Sequence, residues 1–231
     1  MAPKGKQFNG FLTQQKMLRS AVRLFLENGY EKTTTAEIAR AAGMAQSSFF
    51  RAFANKEALL LELVRRMFGG QFALAEQHSA PEDPVFLYAV ETAVQLHIAE
   101  LTEPLRELYV VGYSLPTTSA YIYRSTAKRL QHIFKPYFPE AQAKDFYEME
   151  IASASIMRGF MAVPCDFYFT MEAKISRFLD CTLKLYNIPP AQRAAITGEV
   201  LKMDLHTMAA GMIQKTVQQA EAGFEALTAD Q

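Results

Sequence analysis

Cysteine is scarce in this chain, and long apolar runs are missing from it. Cys165 and Cys181 are the only two cysteines in 231 residues. They are too few and too far apart for a zinc cluster or a disulfide framework. No stretch approaches the ~20 consecutive apolar residues of a membrane span, and the first apolar residues, Phe8 and Phe11, are scattered among polar ones, unlike a secretory signal. We therefore expect a soluble, cytoplasmic protein in a reducing compartment.

Catalytic signatures are missing as well. The sequence has no nucleophile–base motif, no glycine-rich phosphate loop and no His-Glu metal motif, and its four histidines lack ligand spacing. We therefore expect no enzymatic activity, no metal and no cofactor.

Helical spacing of apolar residues runs through the chain, with no repeat and no strand-period alternation of useful length. This predicts an all-α fold. Nine prolines after residue 80 separate the predicted helices, because proline suits a first turn and breaks a helix interior. Besides two short helices between residues 34 and 53, the pattern predicts helices near 13–28, 56–78, 84–101, 104–112, 118–135, 140–162, 171–187 and 190–226.

Charge is distributed unevenly, although the net charge of the whole chain is zero. Residues 1–68 hold eleven Lys+Arg against five Asp+Glu, a net +6, and residues 69–231 carry the opposite net −6. A basic head on an acidic body suits a protein that docks one end on phosphates, although uneven sampling of surface charge is the alternative. We predict a DNA-binding domain over 1–68 and a helical effector-binding and dimerisation domain over 69–231.

Residues 30–59 contain the pattern of two short helices joined by a tight turn. Thr34 stands three residues before Glu37, which predicts a capping box that opens the first helix, and Gly43 can end it in a left-handed conformation. In the second helix Phe49 and Phe53 face inward. The outer face is then polar and hydrogen-bonding: Gln46, Ser47, Ser48 and Arg51.

Such a pair of helices predicts a helix-turn-helix module, whose second helix enters the major groove of DNA. An ordinary solvated helix face is the alternative. Asn55 is predicted to cap the next helix, so that a DNA phosphate could meet both the ammonium of Lys56 and the free N–H groups of the first turn.

These residues resemble the DNA-binding domain of the TetR (tetracycline repressor) family over about residues 11–66. The landmarks, in order, are Thr33-Thr34, Ile38-Ala39, Ala42-Gly43, Phe49-Phe50 through Phe53, and Asn55-Lys56-Glu57 with Leu59. The resemblance implies a homodimeric repressor that binds a palindromic operator on double-stranded DNA and responds to a small-molecule effector. The DNA-binding residues it implies are Thr34, Thr35, Gln46, Ser47, Ser48, Phe50, Arg51 and Lys56.

The chain departs from the family pattern at three positions of the second helix. Ala45 stands where a capping serine is usual, Phe50 replaces a phosphate-binding tyrosine, and Ala52 replaces an aromatic or histidine. DNA affinity should therefore depend more on Arg51, Lys56 and the N-terminal arm residues Lys4 and Lys6.

The body supplies residues that suit either an effector pocket or a plain core. His97 and Glu150 lie on apolar stripes, so Glu150 needs a partner: His97, an arginine or a cationic ligand. The candidate effector-binding residues are His97, Tyr109, Tyr113, Tyr123, Glu150, Met157 and Phe160. A helical DNA-binding or partner-binding protein without an effector is the alternative function.

Three further features bear on assembly and signalling. The small residues of 152–159 permit close helix approach in a dimer, and the predicted helix near 190–226 either extends that interface or covers the pocket. Gly69-Gly70 is either a hinge between head and body or the end of a helix.

Overall fold

The computed structural model describes the backbone of residues 5–78 and 83–229 and the side chains of residues 9–67 and 83–218. These residues form helices joined by short loops and contain no strand, so the predicted all-α fold is confirmed. No helix within the described ranges is both long and apolar enough to span a membrane. The helices are α1 Gly5–Asn28, α2 Thr35–Ala41, α3 Gln46–Ala52, α4 Lys56–His78, α5 Pro84–Leu101, α6 Glu103–Ser114, α7 Pro116–Phe134, α8 Ala143–Ala162, α9 Met171–Leu185, α10 Pro190–Val200 and α11 Leu205–Ala229.

One predicted helix is wrong. The segment expected as a single helix near 190–226 is two helices, because α10 ends at Val200 and α11 begins at Leu205. The Oδ1 atom of Asp204 accepts a hydrogen bond from the backbone N–H of Thr207 (3.1 Å). Asp204 is therefore the N-cap of a new helix, a signal that the residue type carries and that the long apolar periodicity concealed.

The first three helices and the start of α4 bury apolar side chains that are continuous with the core of the rest of the protein. Met17, Ala21 and Phe25 of α1 are fully buried because their spacing places them on one helical face. Gly29 then ends α1 as predicted, with a φ of 86° and its N–H bonded to the carbonyl of Phe25 (3.0 Å). We call residues 9–67 the head and residues 83–218 the body.

Hydrogen bonds and packed helices join the head to the body. A carboxylate oxygen of Glu107 on α6 accepts from the N–H of Glu31 (2.5 Å), and Glu57 of α4 accepts from the N–H of Thr117 (3.1 Å). Helix α1 also packs against α6 and α11, and α4 against α6 and α7. A displacement of α6, α7 or α11 would therefore act directly on the head.

Helix α5 forms the centre of the body, with buried side chains on several sides. Tyr88 of α5 contacts two rings that stack on each other, those of Phe134 and Tyr186, whose centroids lie 4.0 Å apart. Helix α11 packs along α5 and reaches α1. The last helix thus connects body and head.

Helix α4 continues through Gly69-Gly70 to His78, so the interpretation of these glycines as a helix end is wrong. The hinge stays a prediction. The proposed domain boundary at residue 68 lies inside this helix.

Candidate nucleic-acid interface

The capping box that opens α2 is present. The hydroxyl oxygen of Thr34 accepts from the N–H of Glu37 (3.2 Å), and the Glu37 carboxylate accepts from the N–H of Thr34 (2.8 Å). The hydrogen bonds from the backbone and the side chain of Thr34 lower the pKa of Glu37. Thr34 is exposed and Thr35 half-exposed, so the first turn of α2 is open to solvent.

The turn between α2 and α3 depends on Gly43. Its φ is 69°, a left-handed conformation that side chains with a Cβ rarely adopt. The N–H of Gly43 bonds to the carbonyl of Arg40, and that of Met44 to the carbonyl of Ala39, both at 2.9 Å. These bonds satisfy the last carbonyls of α2 and set the direction of α3.

Helix α3 presents a solvent face and a core face. Phe49 is fully buried and Phe53 nearly so, as predicted. Gln46, Ser47 and Arg51 are exposed, and 53% of Phe50 is accessible. Three of the four predicted outer residues, together with Phe50, therefore lie on a surface that a partner can reach.

Ser48 does not belong to that surface, and its predicted exposure is wrong. It is only 8% exposed, and its hydroxyl accepts a hydrogen bond from the Arg51 guanidinium (Nη2 to Oγ, 2.7 Å). Helix α3 packs against both α1 and α2, so its buried band is wider than the row of Phe49 and Phe53. Ser48 thus orients Arg51 from inside.

The ammonium of Lys56 is engaged within the head. It donates to the carbonyls of Tyr30 (2.8 Å) and Thr33 (3.0 Å) and lies 4.1 Å from the centroid of the Tyr30 ring. Lys56 therefore holds the turn before α2 against the start of α4. The predicted phosphate contact at Lys56 stays a prediction, and a phosphate there would have to share the ammonium with these two carbonyls.

Asn55 caps α4 as predicted, since its Oδ1 accepts from the N–H of Ala58 (2.7 Å). A second hydrogen bond that fixes this part of the head was not predicted from the sequence. The side-chain amide of Gln14 on α1 donates to the carbonyl of Ala52 at the end of α3 (3.2 Å). The two residues are 38 positions apart, and no local spacing signals such a contact.

Ala45, the N-cap residue before α3, makes no side-chain hydrogen bond to the first turn of that helix, as the sequence predicts. Ala45 is exposed and has the extended backbone (φ −72°, ψ 151°) of an N-cap. We expect Ala45→Ser to raise the free energy of unfolding by about 1 kcal/mol, because its hydroxyl can accept from a free N–H. Thermal unfolding measures this, with Ala45→Val as the control that lacks an acceptor. Equal melting temperatures for the two variants would contradict the prediction.

The candidate effector residues do not form one site. Tyr113, Glu150 and Met157 line a cavity of about 50 Å³. The ring of His97 lies 6.4 Å from that of His206 on α11, and Phe160 packs against Phe169 and Phe178. Tyr109 and Tyr113 both line a second cavity, and Tyr123 is half-buried. Four of the seven residues therefore lie at one or both of two cavities that share Tyr113.

The expected ion pair of Glu150 is absent from the described residues. Its carboxyl accepts a hydrogen bond from Ser153 (2.8 Å), whose oxygen accepts in turn from the hydroxyl of Tyr186 (2.8 Å). Burial raises the pKa of Glu150 to about 8. Among the described residues the partner of Glu150 is thus the hydroxyl of Ser153 and neither His97 nor an arginine, and a cationic ligand stays a prediction. A raised pKa favours the neutral form of the carboxyl.

A short exposed helix, braced by a capped helix before it and a second capped helix after it, defines a helix-turn-helix DNA-binding module. Residues 17–63 match the family described as bacterial regulatory proteins, tetR family. The predicted resemblance is confirmed, and these residues form a DNA-binding domain of the TetR family.

Known proteins similar to this chain differ in how much of it they cover. The HTH-type transcriptional regulator TcmR of Streptomyces glaucescens is 37% identical over 73 residues, 32% of each chain. The chain thus spans about a third of that relative's length. The HTH-type transcriptional regulator AcrR of Shigella flexneri is 26% identical over 226 residues, covering 86% of this chain and all of AcrR.

A solved structure has the same fold over most of both chains. It is SmeT, the repressor of the Stenotrophomonas maltophilia multidrug efflux pump SmeDEF, at 20% identity and a TM-score of 0.52. The alignment covers 74% of this chain and 88% of SmeT. Because 74% of this chain is more than the head alone, the shared fold includes part of the body.

Proposed function

We propose that this chain is a homodimeric transcriptional repressor that binds a palindromic operator and is released from it by a small molecule. The observation that carries the proposal is the exposed face of α3, with Gln46, Ser47 and Arg51 open to solvent on a helix fixed at both ends. Side chains of these types hydrogen-bond to base edges in the major groove. The relatives TcmR and AcrR are regulators by name, which supports the same role here.

The residues of the head take separate roles in this proposal. Gln46, Ser47 and Arg51 contact bases, with Phe50 beside them against the sugar-phosphate backbone. Thr34 and Thr35 at the open first turn of α2 meet phosphates, as does the N-terminus of α4 at Lys56. Ser48 orients Arg51 from the core side. DNA binding is assigned to residues 1–68, and residues 69–231 hold the dimer contacts and contribute to the effector site.

An exposed row of small residues beside Ile151 on α8 supports dimerisation. Ile151, Ser155 and Gly159 lie exposed on one face of that helix, and Phe167 and Tyr168 in the loop after it are 89% and 91% exposed. Large exposed aromatic side chains of this kind mark protein interfaces. Of the small residues expected at the interface, Ser153 and Ala154 face the core instead, so the partner would contact the row of Ser155 and Gly159.

Release by a ligand follows from thermodynamic linkage. A molecule that binds better to the DNA-incompetent form weakens DNA binding by the same factor, about 5- to 150-fold for a coupling of ~1–3 kcal/mol. Selection of bound duplexes from a random pool tests the function as a whole. A palindromic consensus supports a dimeric reader, and recovery of random sequence would refute sequence-specific regulation.

Arg51→Ala should weaken binding to the selected duplex by roughly 10- to 100-fold, since a base contact by arginine contributes ~1–3 kcal/mol. Fluorescence anisotropy with labelled duplex measures the dissociation constant. Arg124→Ala is the matched control, because Arg124 is an exposed arginine on α7 in the body. If the two variants bind with the same affinity, α3 does not read the operator.

A further inference from the structure

A cavity of about 260 Å³ lies where the head meets the body. Its walls come from α1 and α4 of the head, α6 and α7 of the body, and α11. Protein interiors hold few voids larger than a water molecule. An engineered cavity of about 150 Å³ with apolar walls binds benzene, so this one has room for a molecule of about two fused rings.

The lining of the cavity is mostly apolar. Leucine, valine, isoleucine and methionine side chains dominate it, and none of its described lining residues is acidic. The charged residues on it are Arg19 and Arg66, and Arg66 is bonded to Gln15 (2.8 Å) and to Glu62 (3.1 Å). Such walls disfavour a cation, and they offer an apolar body the burial that drives binding.

We propose that this junction cavity is a binding site for a small, uncharged, aromatic or alicyclic molecule. The inference deepens the proposed function and rests on it in one respect, the response of DNA binding to the ligand. The 50 Å³ cavity at Glu150 is too small for such a molecule and is lined by several polar side chains.

A molecule bound in this cavity would contact the head directly. Leu18 of α1 and Leu63 of α4 form the head side of the wall, and Leu108 of α6 forms the body side. Met212 and Ile213 of α11 complete it. A ligand here contacts both parts at once, so any change in their separation alters its affinity, and by linkage the ligand alters that separation.

The neutral fluorophore 2-naphthol tests the site, because the protein contains no tryptophan to interfere with its emission. We expect saturable binding to the full chain, and weaker binding of 2-naphthoate, which has the same rings and a negative charge. Tighter binding of 2-naphthoate would overturn the uncharged class and favour the arginines as its partners.

Gly112→Leu fills the cavity from α6. A Cβ at Gly112 would lie 3.9 Å from a methyl of Val64, which is an ordinary contact, so the backbone position accepts a side chain. The rest of the leucine side chain would then occupy the cavity. We expect 2-naphthol affinity to fall at least tenfold. Gly198→Leu is the matched control, since Gly198 lies exposed in α10 with open space around it.

Val217→Phe fills the same cavity from α11. This variant replaces Gly112→Leu in the experiment if circular dichroism shows that Gly112→Leu does not fold. Binding of 2-naphthol to a folded filled variant with unchanged affinity would overturn the site. Operator binding by the same proteins without probe is measured separately. If the wild type binds no operator, the proposed function is refuted. The conclusion about the binding of 2-naphthol to the cavity does not depend on that result.

Discussion

Lys174→Ala is expected to lower the free energy of unfolding by roughly 3 to 5 kcal/mol, because it breaks a buried ion pair. Lys174 is fully buried in the body, and its ammonium donates to the Glu100 carboxylate and to the carbonyl of Val163, both at 2.5 Å. It also faces the ring of Phe169 at 5.3 Å. Removal of the cation leaves a largely buried carboxylate with Arg106 and the N–H of Cys165 as its remaining partners.

The same pair predicts a pH dependence. Burial alone would raise the pKa of Glu100, but hydrogen bonds from Lys174 and Cys165 and the charges of Lys174 and Arg106 outweigh it and lower the pKa below its ordinary 4.5. A lowered pKa contributes stability that is present above the ordinary value and is lost as the pH falls through the folded-state value. The wild type should therefore lose stability below about pH 4.5, and Lys174→Ala should lose less.

Urea denaturation at fixed protein concentration measures both effects. Lys184→Ala is the matched control, since Lys184 is an exposed lysine on the same helix, α9. A Lys174→Ala variant as stable as Lys184→Ala would show that the Glu100–Lys174 pair contributes nothing to the fold.

The sequence predicts most of the helices and the frame of the head, because the signals for these are local. The Thr34 capping box, Gly43 and the spacing of Phe49 and Phe53 all act within four residues or one turn, and each proved correct in the structure. Local spacing determines which face of a single helix is apolar, and that is the information a sequence displays directly.

The errors and omissions arise where packing between distant segments decides. Ser48 is buried because α3 contacts two other helices, and Lys56 turns to carbonyls that lie 26 and 23 residues earlier in the chain. The Glu100–Lys174 pair joins residues 74 positions apart. The sequence pattern does not show how the helices cross or how close such distant side chains come to each other.

The state of Glu150 shows why the candidate effector site was the least predictable part. The sequence places the carboxyl of Glu150 on an apolar stripe, from which we predict a partner. Protonation is a second way to avoid an unpaired buried charge, and the sequence does not display it. The residues that surround the carboxyl in the folded protein determine whether it has a charged partner or holds a proton. Here the neighbours are Ser153, Tyr186 and the walls of a small cavity, and none of them brings a positive charge within ion-pair distance among the described residues.

Glu150→Gln is accordingly expected to stabilise the protein at neutral and mildly alkaline pH. Burial raises the pKa of Glu150 from 4.5 to about 8. A raised pKa of an acid means that stability is fully present below the ordinary value and is lost as the pH rises toward the folded-state value. At 1.36 kcal/mol per pH unit, the wild type should lose roughly 3 kcal/mol between pH 4.5 and pH 7. Glutamine keeps the oxygen that accepts from Ser153 and has no proton to lose.

The free energy of unfolding of wild type and Glu150→Gln should therefore be similar near pH 4.5 and diverge up to about pH 8, with the variant higher. Chemical denaturation across this range measures the divergence. Glu148→Gln controls for a change of net charge, because Glu148 lies exposed on the same helix, α8. If the free energies of unfolding of wild type and Glu150→Gln change with pH in parallel, Glu150 is ionised in the folded protein. A cation that is not among the described contacts must then lie close to it. Divergence confined to Glu150→Gln would instead place a neutral acid in the body, ready to ionise when the surrounding helices move apart.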